Sequence, residues 1–366
     1  MLQLDFRLHE LDMTGRSTMS RNDDTLGSRR RPTMKDVAQR CDVSIKTVSR
    51  VVTGQAGTSP ATTERILRTI EELGFRRNRL ASDLRHAGPS SILGVVIEDL
   101  SNPFYGDMIR AVEEYARGRG LMVLSVSSDE DPAREHDLIR ELIARQVAGL
   151  IVVTATADNA YLETEIRRGL PIVFADRPGN GVDCDEVLLD NAQGAREAVE
   201  HLLRQGHRRI SVVADYEHVY TARTRVQGYR DTLLANGLQA APELIRLGRH
   251  TAEEASDAVH ELLALSDPPT AVFTTNNRST VGALRAIHGR DAQLALVGFD
   301  DFELADLLEP PVTVVSNGPE ALGRLAAKQL FSRLDGYHGP SRHDTIPSRL
   351  IVRGSGSTGA SRQLAL

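Results

Sequence analysis

Two groups of residues in this 366-residue chain carry side chains suited to recognition. The first is the stretch IKTVSRVV, residues 45–52. At helical period, Ile45, Lys46, Ser49 and Arg50 fall on one side and Val48, Val51 and Val52 on the other. The apolar side can hold the helix to a core while the other side faces outward. Lys and Arg suit the N7 and O6 acceptors of guanine, and Ile suits a thymine methyl. These four residues are therefore candidates for base contacts in a DNA major groove. The hydroxyls of Thr33, Ser44, Thr47, Ser59 and Thr62 lie at helix starts or groove rims, where they suit phosphate. Plain N-capping is the competing explanation for each, and the preferred one for Ser59.

The second group lies beyond residue 91, at the ends of apolar runs. Asp99 to Tyr105, including Phe104, follows ILGVVIE. Asp176-Arg177 follows PIVFA, and the stretch 216–225, with Tyr220 and Arg225, follows ISVVA. Asn276-Asn277 follows TAVFTT, Asp300 follows LALVGF, and Asn317 follows VTVVS. One such cluster is usually a loop cap. Six together suggest a polar pocket for a hydroxylated ligand, with carboxylates and amides on its hydroxyls and Phe104 or Tyr105 on a ring face.

The first group needs a small helical head. Thr33 with Asp36 marks a helix start, and Val37, Ala38 and Cys41 share a face. After a turn at 41–43, Ser44 caps a second helix running from Ile45 to about Val52. Ser59 and Pro60 open a third, with Ile66, Leu67, Ile70 and Leu73 at helical spacing and Gly74 at its end. That is a helix-turn-helix over 32–76. A short helix from Asn78 to about Arg85 and a linker complete a hinge over 77–90, where Asn78 and Arg79 are further phosphate candidates. Between Arg29 and Pro89 stand 13 Lys and Arg against 6 Asp and Glu, an excess of +7; with −6 overall, the remainder carries −13. A basic head on an acidic body suits a polyanionic partner for the head alone.

The second group needs alternating strands and helices, which predict two doubly wound parallel-sheet subdomains with a cleft at the strand carboxyl ends. The body is expected over 91–353. Its first subdomain takes about 91–189 and 318–340, and its second about 190–317 and 341–353. Residues 1–31 are expected to be disordered or to precede the true start, and 354–366 to be a disordered tail. Two cysteines without CxxC spacing argue against a disulfide framework or a zinc site. No long apolar run and no signal-like segment is present, so a cytoplasmic location is expected. No cofactor or metal is expected. His201 and His207 are expected to be solvent-exposed, and Asp300 and Asp301 to point different ways. Gly179-Asn180-Gly181 only begins like a dinucleotide loop. The chain has no P-loop, nucleophile elbow or HExxH, which counts against an enzyme.

The segments TMKDVAQRCDVSIKTVSRVV and TSPATTERILRTIEELGFRRNRLASDL resemble the headpiece of LacI/GalR bacterial transcription regulators. NPFY, LLDNAQGAREAVEHLLRQGHRRI, RVQGY, NNRSTVGALRAI, VGFDD and IVRGS extend the resemblance through the body. It implies a repressor that binds double-stranded, pseudo-palindromic operator DNA as a homodimer and responds to a sugar, sugar acid or nucleoside-like effector. It further implies that Leu84 wedges into the minor groove beside Ala81, and that Asp176, Arg225, Asn276 and Asp300 hold the effector. This chain departs from the family pattern at Asp42 (usually Gly), Arg77 (often Pro) and Asn277 (usually Asp), and it contains no Trp. The tail lacks leucine heptads, so a dimer is expected rather than a tetramer. A solute-binding protein of a transport system shares the body but predicts a signal peptide and no headpiece. A sugar-converting enzyme would need catalytic motifs that the chain lacks.

Overall fold

The computed structural model describes residues 32–75, 90–288, 294–316 and 318–357. They divide into two compact units, with the division at Gly88 and Pro89. The expected hinge helix, the arm 1–31, Asn317 and the last residues 358–366 lie outside the described residues.

The head is three helices: α1 (Met34–Arg40), α2 (Ile45–Val52) and α3 (Pro60–Leu73). Val37, Ala38, Cys41, Val48 and Ile66 form its buried core, with Val51, Val52, Ile70 and Leu73 packed around them. Each fully buried aliphatic side chain contributes about 1.5–3 kcal/mol, so this small cluster is what holds the helices together. The tight turn between α1 and α2 places Asp42 at φ 49°, a left-handed conformation that Asp tolerates. Gly74 ends α3 at φ 63°, and the Phe75 N–H reaches back to the Ile70 carbonyl.

The body has two six-stranded sheets. The first contains β1 (Ile92–Ile97), β2 (Met122–Ser127), β3 (Leu150–Val152), β4 (Ile172–Ala175), β5 (Asp185–Leu189) and β11 (His343–Ile346), ordered β11-β5-β4-β3-β1-β2 and all parallel. The second contains β6 (Ile210–Val213), β7 (Ile245–Arg246), β8 (Ala271–Thr274), β9 (Ala295–Phe299), β10 (Thr313–Ser316) and β12 (Arg349–Ile351), ordered β12-β10-β9-β8-β6-β7. Only β12 runs antiparallel, to β10. The two orders match strand for strand, so the body is a structural duplication. In each half the order reverses at the first strand, and the ligand crevice of such sheets lies beyond the carboxyl ends at that point. The inner strands β1, β3, β4, β6, β8, β9 and β10 are almost wholly buried, as expected where helices cover both faces, while β2, β7, β11 and β12 at or near the sheet edges are more exposed.

The helices are α4 (Pro103–Arg117), α5 (Pro132–Ala144), α6 (Glu163–Arg167), α7 (Asn191–Arg204), α8 (Tyr220–Ala235), α9 (Ala252–Leu263), α10 (Asn277–Ile287) and α11 (Pro319–Leu334). Among the described residues, no helix is long and apolar enough to cross a membrane. Helix α11 packs on the first subdomain, where Leu322, Ala326, Leu330 and Phe331 join the core formed by β1 and α4.

Three expectations need correction. The last crossing between subdomains comes at Pro347-Ser348 rather than near 341, because β11 pairs with β5 in the first sheet from His343–Glu186 to Ile346–Leu189. Asp185, at the start of β5, anchors that strand through the Arg342 backbone N–H and guanidinium. Residues 354–357 are part of the fold. The Ser355 hydroxyl donates to the Leu296 carbonyl and accepts from the Thr313 N–H, and Ser355 is buried. His201 and His207 are buried, at 5% and 2% exposure. Their spacing suited a solvated helix end, but the 354–357 segment covers His201, and His207 Nδ1 lies 2.9 Å from Thr270 Oγ1.

Candidate ligand cleft and nucleic-acid interface

In the head, the outward side of α2 carries Ile45 at 49% exposure beside exposed Lys46 and Arg50, with Ser49 half-buried. Val48 on the opposite side is fully buried. The amphipathic split expected from the spacing is therefore present. All three helix-start residues are engaged in capping. Ser44 Oγ accepts the Thr47 N–H at 3.1 Å and lies 2.8 Å from Thr47 Oγ1. Ser59 does the same with Thr62, at 3.3 and 2.8 Å. Thr33 donates from both its N–H and its hydroxyl to Asp36 Oδ2. Capping satisfies helix N–H groups and holds the hydroxyls at the helix entrances.

In the body, residues from both subdomains wall a narrow cleft of about 30 Å³. The duplication places its chemistry in matched pairs. Glu98 follows β1 and Asp215 follows β6, each one or two residues beyond the strand. Asp176 follows β4 and Asp300 follows β9, both left-handed at φ 66° and 65°. The Asp176 N–H bonds the Val187 carbonyl and the Asp300 N–H bonds that of Val315, on the next strand in each sheet. That shared strand-end turn aims both carboxylates into the cleft.

Arg225, on α8, is buried against the second subdomain. It donates to Asn191 Oδ1 at 2.7 Å, to the Thr275 carbonyl at 2.6 Å and to Asp300 Oδ2 at 3.2 Å. Its guanidinium lies 3.7 Å from the Phe299 ring centroid. Arg177 does the corresponding work in the first subdomain. It donates to the Thr154 carbonyl at 3.0 Å and to Glu98 at 3.3 Å, and it pairs with Glu130 at 2.5 Å. Across the cleft, Arg278 donates to Glu98 at 2.9 Å and pairs with Asp99, while Asn277 donates to Asn102 at 2.8 Å. His250 Nδ1 sits 3.1 Å from Asp215, a hydrogen bond that raises its pKa. Burial pushes the carboxyls of Glu98 and Asp176 upward.

Three buried polar atoms on the cleft wall have no hydrogen-bond partner: Asp176 Oδ1, Arg177 Nε and Thr275 Oγ1. Buried polar groups are rarely left unpaired, so an acceptor, a donor and a hydroxyl in one cleft suit a ligand bearing hydroxyls. Among the described residues, no group of three His, Cys, Asp or Glu side chains could hold a metal ion.

Of the expected ligand residues, Phe104, Tyr105, Asp176, Arg225, Asn276 and Asp300 line this cleft together. Asp99 does not. It lies one residue beyond Glu98, where Ser101 and Arg278 hold it. Tyr220 does not line it either, and Thr221 and Ala222 take its place one step along α8. Asn317 lies outside the described residues, as do Asn78, Arg79, Ala81 and Leu84. Tyr105 is committed to the core, and its hydroxyl donates to Glu98 at 3.2 Å. Glu98, Asp215 and Arg278 were missed, and Arg177 was passed over as a ligand residue although its cluster was noticed. A signal for two of them was present: ILGVVIE and RISVVAD align as repeats, each ending in an acid. Asp300 and Asp301 do point apart, with Asp301 paired to Arg353 at 2.7 Å.

A helix-turn-helix head ahead of a duplicated body with a polar cleft defines a DNA-binding regulator that carries a ligand-binding domain. Residues 33–78 match the family described as bacterial regulatory proteins, lacI family. Residues 90–353 match the family of periplasmic binding proteins and the sugar binding domain of the LacI family. The chain belongs to the LacI family of transcription regulators and is not an enzyme. It is 31% identical over 327 residues to the HTH-type transcriptional repressor CytR of Escherichia coli, spanning 88% of this chain and 96% of that one. It is 32% identical to the regulator CelR of Thermobifida fusca, spanning 90% and 99%. Among solved structures, the lac repressor dimer bound to operator and the anti-inducer ONPF superposes with a TM-score of 0.78 at 26% identity, covering 90% of this chain and all of that one. A CelR–cellobiose complex superposes at 0.66 and 29%, covering 89% and 100%.

Proposed function

We propose that this protein is a ligand-responsive repressor. Its homodimer binds a pseudo-palindromic operator in the cytoplasm, and a small sugar-like effector in the cleft changes operator affinity. The observation that carries the reading is the set of unpartnered buried atoms at Asp176, Arg177 and Thr275, in a chain that also bears a helix-turn-helix. In this reading Ile45, Lys46, Ser49 and Arg50 meet base edges, and Thr33, Ser44, Thr47, Ser59, Thr62, Asn78 and Arg79 meet phosphates. Ala81 and Leu84 enter the minor groove. Phe104, Tyr105, Asp176, Arg225, Asn276 and Asp300 surround the effector. Relatives that bind operator DNA or cellobiose support it. So does edge strand β2, which exposes Met122 at 67% and Leu124 at 38% and would gain from a second copy. Coupling between the two sites is typically worth about 1–3 kcal/mol and is reciprocal.

Fluorescence anisotropy on operator DNA selected from a random library, at fixed salt, tests this. Sugars, sugar acids and nucleosides are added in turn. One compound is expected to shift operator affinity, and the sign of the shift separates inducer from corepressor. Arg50→Ala is expected to cost about 1–3 kcal/mol and to relax preference at one base position. Absence of any salt-dependent, sequence-selective binding would sink the reading.

A further inference from the structure

The charges around the cleft are unequal, and its cations are already neutralised. Glu98, Asp176, Asp215 and Asp300 line it against Arg177, Arg225 and Arg278. Arg225 is paired with Asp300, and Arg278 with Glu98. Arg177 has two partners, Glu98 and Glu130, and all three side chains are at most 8% exposed. Glu130 reaches Arg177 from a turn in which Asp129 and Glu130 are both left-handed, at φ 54° and 57°. Two consecutive L residues hold that conformation only where their surroundings impose it. A strained turn thus supplies a second counterion to an arginine already paired with Glu98, leaving it less positive charge to offer an anion.

We propose that the cleft selects a neutral, hydroxyl-rich ligand and rejects its carboxylate or phosphate counterpart, with Glu130 as a specificity-determining residue. The inference rests on the effector reading above and sharpens it. Asp176 is 4% exposed, and its Oδ1 has no hydrogen-bond partner; Arg177 Nε beside it lacks one too. A neutral diol satisfies both, one hydroxyl donating to Asp176 while its neighbour accepts from Arg177. A sugar acid or phosphate brings acceptor-only oxygens to a carboxylate wall that has no uncommitted cation to receive them.

The test is calorimetric titration of the full chain with probes matched in shape: glucose, gluconate and glucose 6-phosphate; ribose and ribose 5-phosphate; uridine and uridine 5′-phosphate. In the set that binds, the neutral member is expected to bind at least tenfold more tightly than its anionic partners. Glu130→Gln should narrow that gap by strengthening the anion. Glu98→Gln, which relieves Arg177 from the other side, gives a second reading should the first variant fold poorly. An anion binding as tightly as its neutral partner would overturn the selectivity and leave the effector reading standing. If no probe of either charge binds while operator binding persists, both fall.

Discussion

Asp185 shows how much one side chain decides. It is fully buried at the start of β5 and receives Arg333 at 2.7 Å and Arg342 at 2.6 Å. Burial alone would raise its pKa, but hydrogen bonds from the two arginines outweigh it and bring the carboxyl down to about 2 from 3.8. A folded value below the unfolded one stabilises the fold above about pH 4, and that contribution is lost as pH falls toward 2. Asp185→Asn is expected to cost roughly 2–3 kcal/mol at pH 7, because two partly buried guanidiniums lose their shared partner. Urea unfolding at pH 7 and pH 3 checks this. The variant should also lose less stability over that interval than the parent; equal slopes would mean that Asp185 is not the titrating group.

Helix α11 illustrates the scale of elements. It reaches the first subdomain after β10 of the second and lies against α4. The approach is close enough that a Cβ at Gly323 would stand 2.1 Å from the Met108 carbonyl oxygen, a backbone atom that cannot swing aside. Gly323→Ala is expected to push the helices apart and lower stability by roughly 1–3 kcal/mol. Gly106 in α4 is the control, since a Cβ there meets nothing within 4 Å. Gly106→Ala should leave stability unchanged or raise it by up to about 1 kcal/mol. Thermal unfolding of both variants separates a packing requirement from a general intolerance of alanine.

For the body as a whole, the two subdomains meet through three chain crossings and a set of pairs across the cleft. Arg278 with Glu98 and Asp99, and Asn277 with Asn102, draw the walls together without a ligand. His250 Nε2 lies 3.9 Å from Glu98 across the same gap. Its pKa is raised above the usual 6.5 by the Asp215 hydrogen bond, so its charge contributes fully below about pH 6.5 and is lost as pH rises through the raised value. Arg278→Ala is expected to increase the radius of gyration of the ligand-free protein in small-angle scattering. An unchanged radius would show that the crossings alone set the closure. Asn277, where the family usually has Asp, fits here: an amide can donate to Asn102, which an ionised carboxylate could not.

Much of this protein was legible from local pattern. Helical spacing over 34–73 defined the head, and Asp42 and Gly74 stand at left-handed positions that suit their residue types. Alternating apolar runs announced two parallel sheets, and the polar residues after those runs pointed to the cleft, because strand direction places each run's end on one edge of its sheet. Tertiary structure alone decided the partners. Glu98 closes an apolar run and gives no local hint that it meets Arg278, 180 residues away, or that Arg177 takes Glu98 and Glu130 together. Likewise, β11 could have joined either sheet on its own composition, and its pairing with β5 was settled by Asp185 and Arg342, 157 residues apart. Periodicity reports which face of an element turns inward. Which distant charge waits on that face depends on how the chain folds back, and no local spacing encodes that.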